Sequence, residues 1–201
     1  MSPIKKDLTI LQGRTFSYPL KWEIEPIVYK PITAITQAAP CIVTATGHGV
    51  PDGWRVAIVS VKGMTQINAS NPPKDSEYVV AKVLTADTIE LNTVNAAEYK
   101  AYTSGGYVQY NTPQDLTGYV ARMSIKDKVG GTELMALDTT NLRILIDNTT
   151  KTIKLDIDAL DTAAITWKKG VYDLELESPA GVVTALMFGN VTVTNEVTTN
   201  V

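Results

Sequence analysis

The sequence predicts an all-β protein, and three observations carry that prediction. Apolar and polar residues alternate with period two over stretch after stretch, the pattern of strands buried on one face. Only Asp158–Ile165 has the composition and the N-terminal cap of a helix, two turns at most. Glycine, proline and Asn/Thr clusters punctuate the alternating runs at strand-like intervals.

The elements follow in order. Between Thr15 and Ile24 every even position is apolar (Phe16, Tyr18, Leu20, Trp22, Ile24), which predicts one strand with Trp22 in the core. Pro19 lies on the opposite face and cannot donate a ladder bond, so it belongs at an edge or bulge. From Pro31 to about Asn111 the texture changes. Short runs (Ile42–Thr44, Trp54–Val61, Glu77–Leu84, Thr88–Val94, Tyr107–Tyr110) are separated by Gly47-His48-Gly49, a polar stretch from Lys62 to Ser76, Ala86-Asp87 and Gly105-Gly106. Short, closely spaced strands with glycine turns predict a small barrel. Pro26, Pro31 and Pro113 punctuate its borders.

Beyond the barrel, Tyr119, Ala121, Met123 and Ile125 alternate with Val120, Arg122, Ser124 and Lys126. Leu142, Ile144 and Ile146 lead through the turn Asp147–Thr150 into Ile153, Leu155 and Ile157, which predicts a hairpin. In the helix that follows, Asp158 caps the N-terminus and Asp161 sits near the positive end of the dipole. Tyr172, Leu174 and Leu176 form another strand, stopped by Ser178–Gly181. The last strand starts at Val182, and Gly189 separates two registers there, which predicts a bulge.

Composition narrows the function. A chain of 201 residues fits one large domain or two small ones. Lys and Arg number 18 against 21 Asp and Glu, a formal net charge of −3. Lys5-Lys6 and Lys168-Lys169 are the only paired basic residues, so no basic patch points to nucleic acid. The opening MSPIKKDLTI lacks an apolar export core, and no run of 18 apolar residues predicts a membrane span. A lone Cys41 excludes an intramolecular disulfide, which fits assembly in a reducing cytoplasm, and a lone His48 excludes a His-rich metal centre.

The residues that could carry chemistry have structural explanations. Cys41 and His48 could form a thiolate–imidazole pair, yet Cys41 opens an apolar run and His48 sits in a glycine turn, with no third group to orient them. Asp156, Asp158 and Asp161 suggest calcium, but the sixth and twelfth loop positions are Asp161 and Trp167, and capping accounts for the acids. No catalytic residue, metal ligand or cofactor is assigned. Trp22 and Trp54 fall on apolar strand faces. Tyr99, Tyr102, Tyr107 and Tyr110 are the candidate surface aromatics, which could stack on a glycan.

Without residues 31–111 the flanks read as one unit. Asp7-Leu8-Thr9-Ile10 with Gly13 and Thr15-Phe16-Ser17 is followed by Leu20-Lys21-Trp22, then by Asp115-Leu116-Thr117-Gly118-Tyr119-Val120-Ala121-Arg122-Met123. Gly170-Val171-Tyr172-Asp173-Leu174-Glu175-Leu176, Gly189-Asn190-Val191-Thr192-Val193 and Glu196-Val197-Thr198 complete the series. It resembles an immunoglobulin-like β-sandwich module of tailed-bacteriophage structural proteins, similar to the N-terminal modules of baseplate and fibre-attaching proteins. The insert, through Ile32–Thr36, Gly47-His48-Gly49, Gly63–Asn68 and Thr103–Gly106, resembles a small β-barrel of phage virion proteins, similar to the first catalytic-cysteine half-domain of ubiquitin-activating enzymes. In those enzymes that barrel is an accessory module, so no ubiquitin chemistry passes to Cys41.

The resemblances imply a discontinuous sandwich, residues 1–30 and 112–201, interrupted by a barrel at 31–111. They imply a non-enzymatic virion component of the tail or baseplate, assembled in the host bacterial cytoplasm. It would join neighbouring virion subunits or attach fibres, in several copies about a symmetry axis. A carbohydrate-binding, receptor-recognising module is the alternative. Both termini are polar and predicted to be loosely tied, which makes Lys5, Lys6, Asn195 and Thr198 the candidate assembly contacts.

Overall fold

The computed structural model describes residues 2–195. The fold is all-β. Two compact units divide it, one built from the chain up to Leu20 and from Asp115 onward, the other from Lys21–Gln114. In chain order the strands are β1 (Ile4–Lys5), β2 (Leu8–Leu11), β3 (Phe16–Lys21), β4 (Glu23–Pro31), β5 (Ala34–Ile35), β6 (Cys41–Thr44), β7 (Trp54–Val59) and β8 (Val79–Val83). They continue with β9 (Thr88–Leu91), β10 (Tyr107–Pro113), β11 (Val120–Lys126), β12 (Glu133–Asp138), β13 (Ile144–Asp147), β14 (Thr152–Ile157), β15 (Lys169–Glu177) and β16 (Val183–Thr194). Helix α1 (Ala159–Ala163) lies between β14 and β15.

The first unit holds two sheets, the arrangement of a β-sandwich. One runs β1-β16-β15-β11-β12, with β2 also on β16; the other runs β13-β14-β3. Alternation places Ala121, Met123 and Ile125, Ile153, Leu155 and Ile157, and Tyr172, Leu174 and Leu176 in the interior. β1 and β2 run parallel to β16 in one register, Ile4 opposite Met187 and Leu8 opposite Val191. β3 is an edge strand, which tolerates Pro19.

The bulge in β16 lies earlier than the sequence predicts. The register with β15 shifts so that Leu174 faces Met187 while Glu175 faces Ala185, leaving Leu186 extra. Leu186 and Met187 are therefore both buried, consecutive residues that a regular strand would send to opposite faces. Gly189 has another reason to be glycine. A Cβ there would stand 2.1 Å from the Lys6 carbonyl oxygen.

Two further expectations are corrected. Leu142 is outside the hairpin, 69% exposed with φ +62°, because β13 starts only at Ile144. Trp22 is not in the sandwich core. It is half-buried in the gap between β3 and β4, within the second unit. The alternation from Phe16 to Ile24 is real, but the chain changes sheets inside it, so β4 pairs with β10 instead of extending β3.

The second unit is a seven-stranded sheet, β4-β10-β7-β8-β9-β6-β5, curled as a half-barrel. Its end strands, β4 and β5, are consecutive in sequence, so the sheet comes back towards its start. Trp54, Val56, Ile58, Cys41, Val43, Ile89, Leu91, Val108 and Tyr110 fill the interior. The polar stretch after β7 is held by Asn68, whose amide accepts from the Val61 N–H at 2.8 Å and donates to the Val61 carbonyl at 2.9 Å. The units meet at Leu20/Lys21 and Gln114/Asp115, not at residues 30 and 112. β4 and β10 are long partners in the second unit's own sheet: Pro31 and Pro113 stand in their ladder, and the register shifts between Asn111 and Thr112, where Glu25 and Pro26 are passed over.

Candidate interaction surfaces

The thiol and the imidazole are both committed inside the curled sheet. Cys41 is fully buried, and its Sγ lies 3.6 Å from the Thr36 carbonyl oxygen. Burial pushes the thiol up to about 11, away from thiolate chemistry. His48 is 2% exposed. Its Nδ1 accepts from the Val50 N–H at 3.0 Å, and its Nε2 donates to the Thr85 carbonyl at 3.0 Å. Those partners select the Nε2–H tautomer and leave no lone pair for a nucleophile. Glycines at 47 and 49, φ +58° and +66°, let the backbone turn tightly enough to place the ring there.

The acidic residues are held in the same way. The Asp158 carboxylate accepts from the Asp161 N–H at 2.7 Å, capping α1. Asp161 takes the Arg143 guanidinium through Nε at 3.0 Å and through Nη2, and Asp156 lies 3.3 Å from Lys154 Nζ. In the curled sheet Arg55 grips Glu23 through two bonds of 2.6 and 2.8 Å, reaches Asp75 and lies over the Tyr78 ring. Donating to the Glu23 carboxylate holds that guanidinium even more firmly protonated than usual. Asp115 of the DLTGY run accepts from the Asn148 amide and the Thr117 hydroxyl, both at 2.9 Å, and Asn148 in turn accepts from the Leu116 N–H. Those bonds to Asn148 and Thr117 bring the Asp115 carboxyl down to about 2.

Lys5 and Lys6 do not form a free arm. Lys5 pairs with Phe188 in β16, the Lys6 N–H donates to the Phe188 carbonyl, and the Lys6 carbonyl accepts from the Tyr172 hydroxyl at 2.7 Å. The expectation of a loosely tied N-terminus is thereby corrected for residues 4–6: a polar segment docks because its backbone pairs with β16. Next door, the Asp7 carboxylate accepts from the Asn190 backbone and side-chain amides, which lowers its pKa, with Lys5 and Lys6 adding to the effect. Asn195 is exposed and accepts from the Lys168 ammonium; Thr198 lies outside the described residues.

Around Lys5 the outward sheet face forms a cleft of about 430 Å³. Its floor is two cross-strand rows, Ser124–Asp173–Phe188 and Lys126–Val171–Asn190, and Lys128, Val129 and Gly130 wall one side. Val129 is 91% exposed and Ile4 66%. The two edges of this sheet differ. On β12 the Ala136 carbonyl accepts from the Asn141 and Arg143 side chains. On β1 and β2 the ladder ends: β16 is their one partner among the described strands. The N–H groups of Lys6 and Gln12 face β16, so by alternation that of Thr9 points away from it.

The four candidate tyrosines are not one platform. Tyr110 is buried, its hydroxyl donating to the His48 carbonyl at 2.6 Å, which corrects its place on the surface. Tyr99 and Tyr102 pack half-buried against the core, and Tyr102 donates to the Ile32 carbonyl. Tyr107 is exposed, with Tyr29 as its companion: the rings meet edge to face, 6.1 Å apart at 89°. The sequence gives no sign of Tyr29, because Ile27 and Val28 are both apolar and hide the face of β4 on which it stands. No protein-family model matches the chain, and no curated protein matches it.

Proposed function

We propose that this protein is a non-enzymatic structural component of a tailed-phage virion, an adaptor of the tail or baseplate that joins neighbouring subunits or attaches fibres. The observation that carries the reading is the asymmetry of the six-stranded sheet. At one edge the Ala136 carbonyl is taken up by the Asn141 and Arg143 side chains, while beyond β1 and β2 no further strand is paired among the described residues, and that edge lies beside a cleft with lysines and exposed apolar residues. Open edges are what a protein that works alone covers, and what one that adds to a neighbour's sheet keeps. The resemblance of the DLTGY and GVYDLEL runs to phage modules supplies the setting.

The test is incorporation. A phage lacking this gene is complemented with the wild-type protein or with Thr9→Pro, which removes an outward N–H and no ladder bond. We expect the wild type in purified particles and the variant, folded, left out of them. A wild-type protein that never enters particles overturns the reading; a variant incorporated normally overturns the role of the edge. Carbohydrate recognition is the second reading, and the exposed Tyr29–Tyr107 pair favours it.

A further inference from the structure

Gln109 is the one buried residue of the curled sheet, among those described, whose side-chain oxygen stands without a hydrogen-bond partner. It is 2% exposed and its Oε1 accepts nothing. Native interiors seldom leave such an acceptor empty, and each case calls for an explanation.

The register supplies the surroundings. Val108 and Tyr110 point into the core, so Gln109 and Tyr107 stand on the opposite face of β10. Directly across from Gln109 are Tyr29 on β4 and Ala57 on β7, and across from Tyr107 are Pro31 and Val59. Residues opposite one another share a face. Two tyrosines, 50% and 43% exposed and set at right angles, therefore flank a buried amide oxygen that needs a donor.

We propose that this corner is a saccharide-binding site. One sugar ring lays its C–H face on a tyrosine, and one hydroxyl donates to Gln109 Oε1 as the exposed ring beside it swings aside. The unmet group decides the ligand class. An acceptor demands a ligand rich in donors, which a polyol is. A proline-rich segment has the apolar face for tyrosines but no N–H, and a carboxylate or phosphate brings acceptors alone. The inference rests on the second reading above and is independent of the adaptor role.

The experiment uses the full chain on a glycan array of neutral and acidic saccharides, followed by calorimetric titration with the best soluble hit and with deca-proline. Tyr29→Ala, Tyr107→Ala and Gln109→Met are compared, each checked for an intact thermal transition. Wild-type binding that falls about tenfold or more in the folded variants supports the site. Gln109→Met is the decisive variant, because it removes the unmet acceptor at similar volume and keeps the fold while weakening the sugar. Binding unchanged in Tyr29→Ala and Gln109→Met overturns the site and leaves carbohydrate recognition standing elsewhere on the chain. Absence of any saccharide binding by the wild type overturns both. Binding of deca-proline in place of sugars overturns the ligand class.

Discussion

At Gly189 the space for a side chain is already taken by backbone. A Cβ would meet the Lys6 carbonyl oxygen at 2.1 Å, and a carbonyl in a docked strand cannot rotate aside as a side-chain tip can. Gly189→Ala should therefore cost about 1–3 kcal/mol, read as a lowered urea midpoint, with β1 and β2 the first segment to lose amide protection. Asp115 makes a prediction in pH. Its carboxyl titrates at about 2 when folded, below the ordinary 3.8, because Asn148 and Thr117 donate to the charged form. A depressed folded value means that the contribution is complete above the unfolded pKa and lost as pH falls through the folded one. The wild type should thus lose stability between about pH 4 and pH 2 in a way that Asp115→Asn does not, as paired denaturation curves at the two ends would show. The chemistry of single residues was partly legible in advance. A histidine between glycines reads as a turn residue bonded to backbone, and His48 is one. That Tyr110 would bond the His48 carbonyl was not legible, since the two lie 62 residues apart and pairing depends on which strands become neighbours.

Strands were legible where one face is buried and the sheet continues, and illegible where the chain changes partners. β11, β14 and β15 alternate cleanly and bury the residues that their sequence indicates. The run from Phe16 to Ile24 alternates just as cleanly, yet divides at Trp22 between two sheets, because period two reports a buried face and not whose core lies behind it. Trp54, fully buried with its indole N–H donating to the Asn111 carbonyl, should cost about 3–5 kcal/mol as Trp54→Ala, while half-buried Trp22→Ala should cost clearly less. Equal losses in denaturant titrations would refute this ranking. The N-terminal segment is the other lesson at this scale. Polar residues suggested a free arm, but strand addition is a backbone interaction and polarity does not forbid it. Removal of residues 1–6 should lower the urea midpoint. Tyr172→Phe should cost about 1 kcal/mol in the whole chain, through the lost bond to the Lys6 carbonyl, and nothing further in the trimmed one. Additive losses would show that the hydroxyl acts elsewhere.

For the whole molecule the question is whether the unit from Lys21 to Gln114 is a part that can be taken out. Each unit has sheets and a buried interior of its own. Where the chain leaves the first unit and returns, it is already stitched together: the Gln114 N–H donates to the Trp22 carbonyl at 3.0 Å, and Glu23 pairs with Pro113. Ends held that close need no long bridge, and loop-closure entropy changes little when a long connection becomes a short one. The first unit with Lys21–Gln114 replaced by a short Gly-Ser turn should fold, and so should residues 21–114 expressed alone. Each should give one cooperative denaturant transition, with a slope that reflects its smaller buried surface. Helix α1 offers an internal control. Thr162 is fully buried and its hydroxyl donates to the Arg14 carbonyl, a contact that lies wholly within the first unit and should survive the excision. Thr162→Val should then destabilise the excised form as much as the whole chain. A first unit that collapses without its insert, while residues 21–114 still fold, would mean that β3 holds its place only when β4 continues from it, and that the nesting supports the fold as well as interrupting it.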